Sequence, residues 1–167
     1  MNKQATREAE RGSRQERSGR GTGSTGPRNQ QIKDVMTPDP ACLDASSSVM
    51  DAARLMRDND IGDVIVLENE RLCGIVTDRD IVVRVLSESS DPMDVTVGDI
   101  CSRELTTIIP TAPIEEAVRL IRQKAIRRLP VVDEDGDVVG IVTIGDLAVS
   151  RDPRSALADV SSAPANT

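Results

Sequence analysis

The sequence contains no histidine, phenylalanine, tyrosine or tryptophan among its 167 residues. Without histidine no imidazole is available as a general base, which excludes nucleophilic schemes that pair serine or cysteine with histidine. Without aromatic rings the hydrophobic core must be built from Val, Ile, Leu, Met and Ala. A bound base would also find only aliphatic groups to pack against, so its selectivity would depend on backbone hydrogen bonds.

Cysteine and long apolar runs are also scarce. The three cysteines, Cys42, Cys73 and Cys101, form no Cys-x-x-Cys pair and are odd in number, so neither a disulfide framework nor a zinc cluster is indicated. No apolar segment approaches the roughly 18 residues that a membrane span requires, and the first residues lack the apolar run of a secretion signal. The sequence therefore predicts a cytoplasmic protein with no membrane segment, no metal site and no catalytic cofactor.

The net charge of −7 combines two regions of opposite sign. Residues 1–31 carry seven Lys/Arg against three Asp/Glu, whereas the remainder carries 14 against 25. The acidic remainder would repel nucleic acid and anionic lipid. The basic arm has no aromatic residues to stack on bases, so nucleic acid is not expected as a partner.

Both ends of the chain lack the apolar residues that a packed structure needs. Residues 1–31 are rich in Gly, Ser and Arg, and residues 151–167 are rich in Ala, Ser and Pro, so both are predicted to be disordered. The arm contains GTGSTG at 21–26, which matches the dinucleotide-binding pattern GxGxxG. Because no apolar strand precedes this stretch and Pro27 follows it, we interpret it as a flexible linker.

An internal repeat organises the rest of the chain. The stretch GIVTDRDIVVRV at 74–85 returns as GIVTIGDLAVS at 140–150. Upstream residues match at an offset of 65, as in Asp34 and Asp99, and one inserted residue in a predicted hairpin changes the offset to 66. Two copies are too few for a solenoid, and a pair of units suits the length better. We assign three segments: repeat 1 at 32–88, a linker at 89–96 and repeat 2 at 97–150.

Each repeat shows the same order of local signals. Apolar residues recur at helical spacing over 49–56 and over 114–121, and Thr111 is predicted to cap the second of these helices. Each helix is followed by an apolar run, a polar turn, a second apolar run and a further helix that starts near the repeated threonine. Short lead strands are predicted near 41–43 and 106–109. The sequence therefore predicts a mixed α/β (α+β) fold of two β-α-β-β-α units.

A tandem of β-α-β-β-α units that each end in G-[IV]-[IV]-T-x-x-D resembles the cystathionine-β-synthase-type (CBS) domain pair, or Bateman module. The stretches VMTPD at 35–39 and AIRRLPVVDEDG at 125–136 are also similar to that family. The resemblance covers about residues 32–149. It implies a pseudo-two-fold pair of repeats around a central cleft, in a stand-alone bacterial protein that carries no appended enzyme.

The repeated Thr-x-x-Asp has a structural and a functional interpretation. In the first, each threonine caps a helix and each aspartate completes a capping box, which alone explains the spacing. In the second, the resemblance implies that the aspartates bind the hydroxyls of a ribose and the threonines bind phosphate. The two are compatible, because a cap can change its partner when a ligand arrives. The four residues are Thr77, Asp80, Thr143 and Asp146.

The two predicted sites differ in charge. Repeat 2 has Arg127 and Arg128 before its first apolar run, and repeat 1 has Asp63 at the position of Arg128. Arginines here are similar to those that reach phosphate in CBS pairs, although a solvated surface would also suit them. Arg79 would offset part of the repulsion between Asp63 and phosphate. In the closed pair both sites would face one central cleft, so the arginines could serve either ligand, but we expect the repeat 2 site to bind more tightly. The residues predicted to surround adenine are Ile61, Val64, Ile126, Leu129 and Pro130.

Two functions remain open. In one, the chain is a regulatory sensor that binds AMP, ADP or ATP in the cleft, with S-adenosylmethionine a less favoured ligand, and acts on an unidentified protein target. In the other, the chain is a constitutive assembly module with a vestigial cleft. In both cases the resemblance implies a disc-shaped homodimer formed through the helices. Catalysis is disfavoured: the acidic cluster of Asp133, Asp135 and Asp137 could hold Mg²⁺, but a solvated turn explains it better.

Overall fold

The structure, a computed structural model, describes residues 30–88 and 91–164. The basic arm and its glycine-rich motif lie outside these ranges, except for Gln30 and Gln31. These two residues belong to the folded part, contrary to the predicted boundary. Gln31 forms a β-bridge with Pro113, and the Gln30 carbonyl accepts a hydrogen bond of 3.3 Å from the Ile114 N–H. The start of repeat 1 is thus attached to the second helix of repeat 2.

Both repeats contain the predicted helix-strand-strand-helix order, and repeat 1 also contains the predicted lead strand. None of the helices in the described ranges is long and apolar enough to cross a membrane. Repeat 1 contains a 3-10 turn Ile32–Asp34, β1 Thr37–Pro38, β2 Cys42–Asp44, α1 Val49–Asn59, β3 Asp63–Glu68, β4 Arg71–Thr77, α2 Asp78–Arg84 and a 3-10 turn Leu86–Glu88. Repeat 2 and the tail contain α3 Val97–Ile100, α4 Ile114–Lys124, β5 Arg128–Val132, β6 Val138–Thr143, α5 Ile144–Arg151 and α6 Ala156–Ser162.

The strands form two three-stranded sheets, one per repeat. The first has the order β2-β3-β4, with β2 parallel to β3 and β4 antiparallel. The second has the order β1-β6-β5, with antiparallel pairing throughout. The lead strand predicted near 41–43 is present as β2. Its predicted equivalent near 106–109 is reduced to a single parallel bridge between Ile108 and Val131.

The first residues of each repeat, 32–41 and 97–106, form a lead segment that packs on the other repeat. Strand β1 of repeat 1 pairs with β6 of repeat 2, and Ser102 of repeat 2 forms the reciprocal antiparallel bridge with Ile75 of repeat 1. A Cβ atom on Gly74 would lie 2.5 Å from the Cys101 Sγ, and one on Gly140 would lie 2.6 Å from the Met36 Sδ. The glycine that opens both copies of the repeated motif is therefore required by this close crossing.

The exchange of lead segments also divides the core into two aliphatic clusters. Ile32 of repeat 1 is fully buried in the repeat 2 cluster, beside Ile114 and Leu129. Val97 and Ile100 of repeat 2 are buried in the repeat 1 cluster. Neither repeat completes its core without the other, which confirms the predicted pair of units with an aliphatic core.

The acidic hairpin between β5 and β6 uses its carboxylates to build the turn. The Asp133 Oδ1 accepts hydrogen bonds from the backbone N–H groups of Asp135 and Asp137, at 3.0 and 2.9 Å. Gly136 has a positive φ of 87°, which suits glycine at this turn. Among the described residues, no group of three or more metal-ligating side chains is arranged to hold a metal ion.

Two local predictions are wrong. The tail predicted to be disordered over 151–167 contains α6, whose residue Ala158 is 2 % exposed. This helix is capped by Ser155 and packs against Gly145 of α5, where a Cβ atom would lie 2.6 Å from the Ser161 Oγ. Thr111 does not cap α4, because the N-cap position is Pro113, which forms no side-chain cap.

Candidate functional site

The repeated Thr-x-x-Asp forms a capping box at the start of α2 and of α5, as its structural interpretation predicts. In repeat 1, the Asp80 Oδ2 accepts hydrogen bonds from the Thr77 N–H at 2.9 Å and the Thr77 hydroxyl at 2.7 Å. The Thr77 Oγ1 accepts from the Asp80 N–H at 3.3 Å. In repeat 2, Thr143 and Asp146 form the same three bonds at 2.7, 2.8 and 3.3 Å.

The two aspartates differ in the partner of their second carboxylate oxygen. The Asp80 Oδ1 pairs with the Arg84 guanidinium at 3.2 Å. Ser150 stands at the position of Arg84 in repeat 2, and within the described ranges the Asp146 Oδ1 has no hydrogen-bond or ion-pair partner. Asp146 therefore retains an acceptor that Asp80 has already committed.

A cavity of 180 Å³ lies between the repeats, on the Thr77 side. Because the lead segment of repeat 2 crosses onto repeat 1, the cavity joins residues that are distant in the sequence. Its lining comprises Ile75 and Thr77 of repeat 1 together with Ser102, Glu104, Leu105, Thr106, Ile126, Arg128 and Pro130 of repeat 2. Four predicted site residues meet here: Thr77, Ile126, Arg128 and Pro130.

Alternation along the strands corrects part of the predicted adenine pocket. Successive residues of a strand face opposite sides, so Arg128 and Pro130 of β5 reach the cavity while Leu129 between them faces the core. Leu129 is fully buried, and Val64, its equivalent in β3, is 1 % exposed in the repeat 1 core. Neither lines the cavity. Ile61 is 36 % exposed and also lies outside its lining.

Arg128 lies opposite Asp63, to which it forms an ion pair through its Nε. The two residues occupy equivalent positions of the two repeats, and their side chains are 25 % and 18 % exposed. A second such pair, Arg71 with Asp137, joins the hairpins at 3.3 Å and is 62 % exposed on both sides. Residues that face each other across the pseudo-two-fold axis thus carry opposite charges.

The ion pair between Arg128 and Asp63 removes the difference in charge that was expected to make the repeat 2 site bind phosphate more tightly. Arg128 was expected to support the repeat 2 site, but it lines the cavity beside Thr77, and Asp63 neutralises it there. Arg127 and Arg79 are exposed and do not line this cavity. Asp146 lines a separate groove between α5, α6 and the start of repeat 1. The charge argument for a tighter repeat 2 site therefore does not hold, whereas the free oxygen of Asp146 favours that site.

Sequence reasoning missed the residues that the lead segment contributes. Ser102, Glu104, Leu105 and Thr106 line the cavity although they follow α3 in a stretch with no regular secondary structure. For Ser102 and Glu104 a signal exists in the sequence, because ICSRE at 100–104 corresponds to VMTPD at 35–39 at the offset of 65. Leu105 and Thr106 lie beyond this stretch. Glu104 adds a carboxylate to the wall of the cavity, which makes the region less favourable for a highly charged phosphate chain.

Comparison with known proteins identifies relatives of the same architecture. A family model described as CBS domain matches residues 32–87 and 97–150. The CBS domain-containing protein YhcV of Bacillus subtilis (strain 168) is 38 % identical over 120 residues, which cover 72 % of this chain and 84 % of that protein.

Two similar solved structures contain adenosine compounds. The structure of CBSX2 in complex with AMP is 29 % identical, with a TM-score of 0.60, and covers 71 % of this chain and 93 % of that one. The CBS domain pair of protein MJ0100, in complex with 5′-methylthioadenosine and S-adenosyl-L-methionine, is 27 % identical, with a TM-score of 0.64 and the same coverage of 71 % and 93 %. The matched repeats, their exchanged lead segments and their paired capping boxes agree: the chain belongs to the CBS domain family.

Proposed function

We propose that this chain is a ligand-sensing regulatory module that binds an adenosine nucleotide in the cleft between its repeats and catalyses no reaction. The observation that carries the proposal is the cavity that joins Thr77 of repeat 1 to Ile126, Arg128 and Pro130 of repeat 2. A ligand in this position contacts both repeats. Its binding energy therefore depends on their relative arrangement, which is the requirement for a population shift between conformations.

Four lining residues have roles that follow from their chemistry, and a fifth residue, Asp80, is bonded to the lining residue Thr77 without lining the cavity itself. Ile126 and Pro130 offer aliphatic surfaces for an adenine ring. The Thr77 hydroxyl and the Arg128 guanidinium offer donors to a phosphate. Asp80 offers carboxylate oxygens to the ribose hydroxyls, provided that Arg84 yields one of them. The sequence contains no histidine, so no imidazole is available as a general base, which supports binding without catalysis.

The size of the cavity indicates how a ligand would enter. Its 180 Å³ is below the roughly 300–1,000 Å³ of typical ligand pockets. The Arg128 side chain forms part of the wall and is held by Asp63. Movement of this guanidinium from Asp63 to a ligand phosphate would widen the cavity and supply a phosphate partner in one step. Among the described residues that line the cavity, Arg128 is the one cation, so a monophosphate such as AMP fits better than ADP or ATP. Repeat 2 would provide a second site at Thr143 and Asp146.

The test is a titration of purified protein with AMP, ADP, ATP and S-adenosylmethionine, followed by calorimetry and by the melting temperature. Asp80→Ala and Asp146→Ala should each remove or weaken one binding event. The matched control is Asp99→Ala, because Thr96 and Asp99 form a third capping box with bonds of 3.1, 2.7 and 3.3 Å at the start of α3. Absence of binding at millimolar concentration for all four ligands, or equal weakening by the Asp99 control, would contradict the proposal.

A second candidate, constitutive assembly, is favoured by the exposed face of α2. Val82 and Val83 of α2 are 55 % and 47 % exposed, and Leu86, in the 3-10 turn that follows, is 54 % exposed. Leu86 lies four residues after Val82 and three after Val83, so the three apolar side chains are near neighbours on the surface. A homodimer formed through this face would bury them, and an unidentified cytoplasmic partner protein would be an alternative occupant. Sedimentation of wild-type protein and of Val83→Glu, with and without AMP, separates the candidates. If the dimer is unaffected by AMP and dissociates in Val83→Glu, the result supports constitutive assembly without ligand sensing.

A further inference from the structure

Arg84 shows how one half of the molecule binds a guanidinium group. From the last turn of α2 its guanidinium donates to the Ile100 carbonyl and, at 3.3 Å, to the Ser102 hydroxyl oxygen. The same group pairs with the Asp80 Oδ1 at 3.2 Å. A planar cation with several N–H donors is thus held by a carboxylate, a carbonyl at the end of α3 and a hydroxyl.

Repeat 2 preserves the acceptors of this arrangement but not its arginine. Asp146, Val35 and Thr37 stand at the positions of Asp80, Ile100 and Ser102, by the offsets of 66 and 65 that relate the repeats. Ser150 stands at the position of Arg84. Its hydroxyl is too short to span the same distance and donates instead to the Gln30 Oε1 at 3.0 Å.

A groove of 420 Å³ lies beside Ser150, the residue at the position of Arg84. Val35, Asp146 and Ser150 line it, together with Asp34, Gln30 and Ser161. Its lining contains two carboxylates, and no lysine or arginine is among the described residues that form it. The Asp146 Oδ2 is occupied by Thr143, but the Oδ1 that would match the Arg84 partner has none in the described part of the chain.

We propose that this groove binds a guanidinium group in the position that Arg84 fills in repeat 1. A guanidinium matches the acceptors better than an ammonium ion, because in repeat 1 two different nitrogens of one planar group serve three separate acceptors. Asp146 supplies the charge, Val35 supplies a backbone carbonyl, and Asp34 adds a second carboxylate to the groove. Thr37, the sequence counterpart of Ser102, does not line the groove, so its hydroxyl is not counted among the acceptors. The proposal does not depend on a nucleotide in the cleft.

The guanidinium has two possible sources, which share this chemistry. One is a free small molecule with an alkylguanidinium group. The other is the chain itself, since Arg28 precedes Gln30 of the groove lining by two residues in the sequence. The substitution Arg28→Gln separates them, because it leaves the groove unchanged and removes the internal donor.

The experiment titrates butylguanidinium into the full-length chain and follows backbone amide resonances of α5 and of residues 34–36. Butylammonium, of the same length and charge, is the control ligand. Wild-type protein should bind butylguanidinium at one site, with an affinity on the order of millimolar and at least about tenfold above that of butylammonium. If Arg28 fills the groove, wild-type protein should show no binding and Arg28→Gln should show it.

Two substitutions exploit the repeat. Ser150→Arg should restore the arrangement of repeat 1 within repeat 2 and abolish butylguanidinium binding, whereas Arg84→Ser should open the equivalent groove and add a second binding event near Asp80. If Ser150→Arg fails to fold, the stoichiometry of Arg84→Ser decides. The proposal is overturned if neither wild type nor Arg28→Gln binds, if butylammonium binds equally well, if Ser150→Arg binds unchanged, or if Arg84→Ser gains no site.

Discussion

The ion pair between Asp63 and Arg128 should stabilise the contact between the repeats, and reversing both charges should preserve it. The two residues occupy equivalent positions, so each side chain meets its own counterpart across the pseudo-two-fold axis. Asp63→Arg places two guanidinium groups face to face, and Arg128→Asp does the same with two carboxylates. Because the backbone at the two positions is equivalent, the double substitution recreates the pair with its direction reversed.

The expected magnitude follows from the partial burial of the pair. Fully exposed ion pairs contribute roughly 0–1 kcal/mol, and breaking a fully buried pair costs about 3–5 kcal/mol. With side chains 25 % and 18 % exposed, Arg128 and Asp63 lie between these limits. We expect each single reversal to lower the free energy of unfolding by about 2 kcal/mol, and the double reversal to recover at least half of the summed loss. For a chain of this size, each kcal/mol corresponds to about 2–4 °C in melting temperature.

The assay is a double-mutant cycle measured by urea unfolding at low ionic strength. Arg71 and Asp137 provide the matched control, since they also face each other across the axis but are 62 % exposed on both sides. Their coupling energy should be about 0–0.5 kcal/mol. The reasoning is refuted if the reversed pair is no more stable than the worse single variant, or if the two cycles give equal coupling energies.

Three further outcomes follow from the structure. Ile32→Ala should lower the free energy of unfolding by about 2–5 kcal/mol, because Ile32 is fully buried in the repeat 2 core although it precedes the first strand. Urea unfolding measures this loss, and a value below about 1 kcal/mol would contradict the exchange of lead segments. Gly145→Ala should displace α6, because the new Cβ would lie 2.6 Å from the Ser161 Oγ. The expected result is faster hydrogen exchange over 156–162 with unchanged exchange in repeat 1. Adding Ser161→Ala should reduce the clash and slow the exchange again. Hydrogen bonds from the Ser48 and Thr96 hydroxyls lower the pKa values of Asp51 and Asp99. The stabilisation by these two carboxylates is therefore present above their unfolded pKa and is lost as the pH falls through the lower folded pKa. Ser48→Ala and Thr96→Ala should each reduce the slope of the free energy of unfolding against pH on the acid side, and an unchanged slope would count against this.

Local signals in the sequence were sufficient for the repeats, their helices and their hairpins. The Thr-x-x-Asp capping boxes could be read directly, because a cap involves residues only three positions apart. Strand alternation was also present in the sequence and would have assigned Val64 and Leu129 to the core, had it been applied to the adenine pocket. Helix α6 had a local signal as well, the Ser155 cap, but its Ala- and Ser-rich composition outweighed it.

Contacts between the repeats could not be derived from local signals. The crossing of β1 onto β6 pairs Thr37 with Ile141, and no residue pattern in either segment indicates that the other is its partner. The cavity depends on that crossing, so its lining from Ser102 to Thr106 was missed for the same reason. One long-range feature had a sequence signature: residues 65 positions apart carry opposite charges at Asp63 and Arg128, as expected where equivalent positions meet on a pseudo-two-fold axis.

The differences between the repeats separate two roles on one scaffold. Repeat 2 has Gly145 where repeat 1 has Arg79, so α5 can pack closely against α6. It also has Ser150 where repeat 1 has Arg84, so no arginine of α5 reaches the nearby groove. Asp146 belongs to both features, since its Oδ2 accepts the capping bonds of α5 and the residue also lines the groove. A guanidinium bound to Asp146 and a ribose bound to the same carboxylate would exclude each other. Binding would then be competitive, so the apparent dissociation constant of AMP for this site would rise in proportion to the concentration of butylguanidinium above its own dissociation constant, and a titration of AMP at two concentrations of butylguanidinium would measure it.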